Sequence, residues 1–224
     1  MVAKAERIPT GISGLDGLIQ GGLIRGDVHL ITGGPGTGKT ILASRFAYNA
    51  CKILSERAVY ATFEESSEFF RKNLAKIGTD LAPLEKDGKI KVIDLEILRG
   101  KGLESNITYL IELVDKARAT ILVIDSLTAL LLACETQFEQ RTFMKTVYKS
   151  LKAKEVTTLM TVSLGEDGRI GAEGFLSDSV LFLENWVDKN QFKTRFMIQK
   201  MRGTDHSRRY HSLTLGPEVS VSRF

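Results

Sequence analysis

Eight residues, GGPGTGKT at positions 33–40, constrain this chain more than any other stretch. They fit G-x-x-x-x-G-K-[ST], with Gly33, Gly38, Lys39 and Thr40 at the fixed positions. The apolar run DVHLIT precedes them, and a helical pattern from 39 to about 54 follows, so the glycines fall between a strand and a helix. Phosphate chemistry needs that placement. A loop of Gly33, Gly34, Pro35, Gly36, Thr37 and Gly38 can curl its backbone N–H groups round a polyphosphate, and the start of the helix adds positive potential. Lys39 then reaches the β and γ phosphates, the Thr40 hydroxyl ligates Mg²⁺, and Ile41 on the first helical turn joins the ATP-binding set.

A strand, loop and helix of this kind predict a parallel sheet, and the chain downstream keeps the same alternation. RAVYATF reads as a strand, and 66–77 as a helix that Gly78 stops. KIKVID is a strand, and 104–119 sets Ile107, Leu110, Ile111 and Val114 at helical spacing. TILVIDS is a continuous apolar run suited to a strand covered on both faces. A helix over about 138–153 leads to the strand VTTLMTV. After residue 178 the helices cease, and DSVLFLEN, FKTRFMIQKMR, RYHSLTLG and PEVSVS are separated only by turns. The predicted fold is α/β: a mostly parallel sheet flanked by helices, with an antiparallel C-terminal strand extension. Its 224 residues suit one domain, 1–224.

The start MVAKAER is polar, and no apolar run approaches the eighteen or so residues of a membrane span, which points to a cytoplasmic protein. Cys51 and Cys134 provide neither a disulfide framework nor metal-ligand spacing, so both read as buried thiols.

A phosphate loop implies nucleotide binding; hydrolysis needs a magnesium carboxylate and a group that activates water. Asp125 ends the run ILVID, where a carboxylate would stand at the C-terminal edge of a central strand and hold Mg²⁺ directly or through water. An aspartate there also suits a helix cap, since Ser126 and a possible helix follow. Glu64 and Glu65, in ATFEESSEFF, fall at the end of another strand and hence on the same edge. Adjacent residues of an extended chain face opposite ways, so Glu64 is favoured for the water, with Glu65 in support. Alternatively, both favour the start of the next helix electrostatically.

Residues 189–224 carry eight basic side chains against Asp205 and Glu218, a balance of +6, whereas the preceding residues carry 23 basic and 25 acidic. Any anionic partner belongs first to that segment. Within it, QKMRGTDHS places Lys200 and Arg202 two apart, on one side of a strand. Basic side chains at a sheet edge also discourage aggregation, so a solvated turn is the other reading.

The lead IPTGISGLDGLIQGGL, the phosphate loop, TFEES, ILVIDSLTAL, EGFLSD and KMRGTDHS, in that order, resemble the KaiC-like ATPases of the RecA superfamily of P-loop NTPases. The resemblance runs from about Ile8 to the C-terminus and fits a single KaiC domain. It implies a RecA-like core in a homo-oligomeric ring, usually a hexamer, with ATP and Mg²⁺ at each subunit interface. It also implies catalytic roles for Glu64 and Glu65, and for Lys200 and Arg202 as fingers that reach the γ-phosphate of the next subunit. His206 either positions its turn, approaches the nucleotide or is a plain surface histidine.

Three departures from the family pattern stand out. Ile24 occupies a place where proline is common. VSLGEDG replaces a frequent Thr-Glu pair and leaves Ser163 as the γ-phosphate sensor by guess. Gly174 and Phe175 stand where a self-phosphorylating domain has Ser-Thr, so autokinase activity there is not expected.

The competing reading is a RecA/RadA-paralogue recombination or repair accessory that binds single-stranded DNA weakly; a steep loss of affinity with salt would mark it. Against it, the loop SLGEDGRIGAEGF holds one arginine and three acids. A small-molecule kinase would want a lid rich in arginine, and the chain has no such insertion.

Overall fold

The computed structural model describes residues 5–95, 103–165 and 168–223. A short antiparallel ribbon, β1 (Arg7–Ile8) with β2 (Leu23–Ile24), holds the N-terminal lead around a 3₁₀ turn at Asp16–Ile19. The order is then β3 (Val28–Gly33), α1 (Lys39–Ile53), β4 (Ala58–Thr62), α2 (Ser67–Lys76), α3 (Ala82–Lys86), β5 (Ile90–Asp94), α4 (Leu103–Ala117) and β6 (Ile121–Asp125). It continues with α5 (Leu127–Leu131), α6 (Gln137–Ala153), β7 (Thr157–Ser163), α7 (Ala172–Leu176), β8 (Ser179–Asp188), β9 (Gln191–Met201), β10 (His211–Thr214) and β11 (Ser220–Arg223).

Among the described residues nine strands form one sheet in the order β11-β10-β9-β8-β3-β7-β6-β4-β5. Every residue of β3, β4 and β6 is buried, as continuous apolar runs require when helices cover both faces. One core lies under α1 and α2, with Phe46, Tyr60 and Phe70 at its centre. The other lies under α4, α5 and α6, where Leu110, Val147 and Leu151 meet Leu122 and Ile124. Local signals set the helix ends: the Ser66 side chain accepts from the N–H of Phe69 at the start of α2, and Thr136 and Glu139 form a reciprocal capping box on α6.

The sheet departs from the expected layout at β8. DSVLFLEN reads as part of the antiparallel extension, yet β8 lies parallel to β3, pairing His29 with Ser179 and Gly33 with Leu183, and antiparallel to β9. Among the described residues it is therefore the sixth parallel strand, and β9, β10 and β11 alone form the extension. The ribbon and the five-residue helices α3 and α7 are too short to show a hydrophobic period. Cys51 is buried as expected, with its thiol pushed up to about 12 chiefly by burial, but Cys134 is only half-buried. Among the described residues no helix is long and apolar enough to cross a membrane.

Candidate nucleotide site

The strand register gathers the candidate residues along one edge. Gly33 at the end of β3 is level with Ser163 at the end of β7, and Thr62 at the end of β4 is level with Asp125 at the end of β6. The C-terminal edge of a parallel sheet is where ligands of open α/β folds bind. There the phosphate loop turns into α1. A Cβ at Gly33 would come 2.2 Å from the Leu183 carbonyl oxygen. Gly38 adopts φ 87°, and a Cβ there would come 2.3 Å from Leu215 Cδ1. Both positions therefore demand glycine. The loop is braced from within, where Thr37 Oγ1 donates to the Gly34 carbonyl at 2.9 Å, and from β8, where Asn185 donates to the Gly36 carbonyl at 3.3 Å.

Lys39 Nζ donates to the carbonyls of Gly33 and Gly34, both at 2.9 Å, so its charge lies inside the loop. Burial lowers its pKa, while Glu64 and Asp125 pull it back up. Asp125 is buried and accepts from Tyr60 Oη at 2.7 Å, from Thr161 Oγ1 at 2.5 Å and from the Thr40 hydroxyl. Burial raises its pKa; the three hydroxyls oppose that rise, and the charge of Glu64 adds to it.

Glu64 and Glu65 do face different ways. Glu64 accepts from Ser126 Oγ at 2.5 Å, beside Asp125. Glu65 accepts from Asn73 Nδ2 at 3.2 Å, and its pKa is raised by burial first and then by the neighbouring carboxylates. Thr40 and Asp125 are thus in contact where one hydroxyl and one carboxylate suit Mg²⁺, an ion that takes few protein ligands and fills its shell with water and phosphate oxygens. Among the described residues no group of three His, Cys, Asp or Glu side chains could hold a metal by itself.

Sequence reasoning missed Tyr60, Thr161, Ser126 and Asn185. The one available signal was a threonine inside the apolar run TTLMTV, since a buried hydroxyl requires a partner.

The burial of Asp125 has a testable consequence. Its folded-state pKa is raised above the unfolded one, so it costs stability that is absent below the ordinary carboxylate pKa and appears as the pH rises through the folded value. Asp125→Asn should therefore gain on wild type in urea denaturation without ligand as the pH is raised from about 4, and hold that gain at neutral pH.

Lys200 and Arg202 lie elsewhere. Lys200 is level with Val180, and hence with Leu30, three residues short of Gly33 and roughly 10 Å below it along the strand. Both side chains do point the same way, towards the C-terminal end of α7. Lys200 Nζ donates to the carbonyls of Gly174 and Phe175 at 2.9 Å and of Ser177 at 2.5 Å. Arg202 donates to the Phe175 carbonyl at 3.0 Å and lies 3.4 Å from Asp178 Oδ1. His206 is half-buried in the following turn, with Nδ1 3.1 Å from the Ser207 carbonyl. Ser163 is at the loop edge, where its N–H donates to Thr128 Oγ1 at 2.9 Å. The acids Glu166 and Asp167 of the following loop lie outside the described residues.

Strand order, glycine loop and edge carboxylate together define a P-loop nucleotide-binding core of the RecA type. The family model described as "ATPase: KaiC" matches residues 8–221, and the chain belongs to that family. The circadian clock oscillator protein KaiC of Thermostichus vulcanus is 32% identical over 230 residues, covering 98% of this chain and 44% of that protein. KaiC of Parasynechococcus marenigrum is 33% identical over 227 residues, covering 95% of this chain and again 44% of the relative. The chain thus spans less than half the length of these relatives. A crystal structure of a KaiC-like protein from Pyrococcus horikoshii OT3 matches with a TM-score of 0.88 at 32% identity, covering 97% of this chain and 99% of that one.

Proposed function

We propose that the chain is an oligomeric, Mg-dependent ATPase that hydrolyses ATP at the boundary between two copies, in a homo-oligomer that the family resemblance makes a hexameric ring. The residues 33–41 hold the triphosphate through backbone N–H groups and Lys39. Thr40 and Asp125 would hold Mg²⁺, which when bound neutralises charge between the β and γ phosphates. Glu64 polarises the attacking water and takes its proton as the new bond to the γ phosphorus forms. The bond to the bridging oxygen breaks, so that ADP leaves with that oxygen and inorganic phosphate is released. Glu65 supports Glu64. Lys200 and Arg202 of a neighbouring copy stabilise charge on the γ-phosphoryl oxygens, with His206 close by.

One observation carries this reading: Lys39, Thr40, Glu64 and Asp125 meet on one edge of the sheet, whereas Lys200 and Arg202 of the same copy stand well away from it. Fingers so placed serve a neighbour more readily than their own subunit. The experiment is phosphate release from ATP with Mg²⁺, with molecular mass measured alongside. Lys39→Ala should abolish nucleotide binding, seen as the loss of any ATP-induced rise in thermal midpoint. Unchanged binding by that variant would remove the phosphate-loop assignment.

The DNA-binding reading has one observation in its favour. Arg209 and Arg223 line a cleft with Tyr210 and His211, and neither makes an ion pair among the described residues.

A further inference from the structure

Arg45 is a charged side chain that none of these roles uses. Only 8% of it is exposed, and its guanidinium meets four backbone carbonyl oxygens: Ile77 at 3.0 Å, Gly78 at 3.4 Å, Gly216 at 3.3 Å and Pro217 at 3.0 Å. No carboxylate among the described residues pairs with it, and its Nε has no hydrogen-bond partner. A buried cation held by carbonyl dipoles without a carboxylate is costly compared with an apolar side chain of similar volume. The reason for its presence lies in what it ties together.

All three segments bear on the nucleotide site. Arg45 is in α1, the helix that the phosphate loop opens. Ile77 and Gly78 end α2, the helix from which Asn73 holds Glu65. Gly216 and Pro217 belong to the turn between β10 and β11, and the residue before them, Leu215, lies against Gly38. Gly38, Ile41, Arg45, Tyr48 and Lys52 recur at three- and four-residue spacing, which makes them one stripe along α1. The guanidinium lies 5.9 Å from the Tyr48 ring centre, and Lys52 donates to Tyr48 Oη at 2.8 Å. At the loop end of the stripe, Ile41 and Leu215 are both only partly buried.

Phosphates bound to the N–H groups at the start of α1 leave the nucleoside to run along a flank of that helix. Apolar side chains with a free face beside the phosphate loop are what a base or ribose packs against. We infer that Arg45 is a positioning residue for the nucleotide: it pins the 215–217 turn to α1, so that Leu215 and Ile41 form the wall on which the nucleoside rests. This rests on the reading of residues 33–40 as the nucleotide site.

The test compares two ligands, ADP and inorganic tripolyphosphate, by titration calorimetry on wild type, Leu215→Ala, Arg45→Ala and Arg45→Lys. Lysine keeps the charge but lacks the planar fork that reaches four carbonyls. ADP affinity should fall about tenfold in all three variants, while tripolyphosphate affinity should stay within about twofold of wild type. Hydrogen exchange at Leu215 and Gly216 should accelerate in Arg45→Lys, which reads the pinning even if Arg45→Ala does not fold. Unchanged ADP affinity in Leu215→Ala would overturn the inference, as would equal losses for both ligands in folded Arg45→Lys. Wild type that binds neither ligand would instead overturn the assignment of the phosphate loop, and the inference with it.

Discussion

Glu64→Gln should bind ATP within about threefold of wild type and hydrolyse it about 10²- to 10⁴-fold more slowly. The amide keeps the size of the carboxylate and can still accept from Ser126 Oγ, so the end of β4 and the start of α2 should hold their geometry. What it loses is the capacity to take a proton from water. Glu65→Gln should cost less, because Glu65 turns to Asn73 rather than towards Asp125. Single-turnover hydrolysis with nucleotide affinity measured in parallel separates the two effects. If Glu64→Gln turns over at the wild-type rate, water activation belongs to another group, and Glu65, whose pKa burial raises, is the first to examine.

The second large effect is a gain. Glu64→Gln/Glu65→Gln in one chain and Arg202→Ala in another should each be inactive, Arg202→Ala by about 10³-fold or more, as arginine fingers of phosphoryl transfer generally are. Mixed, they should recover activity, since some interfaces pair intact glutamates with an intact Arg202. In a mixture shown by mass to co-assemble, absence of recovery would place Arg202 in its own subunit's site or outside catalysis. In the free subunit Arg202 is joined to Asp178, which burial would push up in pKa but which the Val28 N–H, Tyr148 and Lys152 hold below its ordinary value. That carboxylate stays ionised near neutral pH, so Arg202 keeps a fixed partner at Nη1. Its side chain remains about half exposed, and a guanidinium carries five N–H donors, so some remain for a neighbour beside those that face Asp178 and the Phe175 carbonyl.

Much of this was legible in one dimension. The helix starts at Lys39 and near 67 and 137 follow from glycine, serine and threonine at their boundaries, and the buried strands from unbroken apolar runs. Local chemistry determines those features, because caps, turns and burial of a continuous run involve neighbours in sequence. The phosphate loop, the placing of Thr40 on the first turn of a helix and of Asp125 at a strand end, and the opposite facings of Glu64 and Glu65 were also foreseeable, since each depends on position along a single strand or turn.

Partnership across the sheet was not foreseeable. Tyr60 and Thr161 donate to Asp125 from β4 and β7, the strands on either side of β6; only the register of three parallel strands brings those hydroxyls to one carboxylate. The parallel placement of β8 likewise depends on which edge of β3 is open, not on any pattern within DSVLFLEN. Sequence by itself determined where the glycine loop, the paired glutamates and the strand-end aspartate sit along the chain, because short motifs encode backbone shape and side-chain type. Tertiary structure alone decided that Arg45 reaches the 215–217 turn and that Lys200 and Arg202 stand apart from their own phosphate loop, because strand order and register fix distances between segments far apart in sequence.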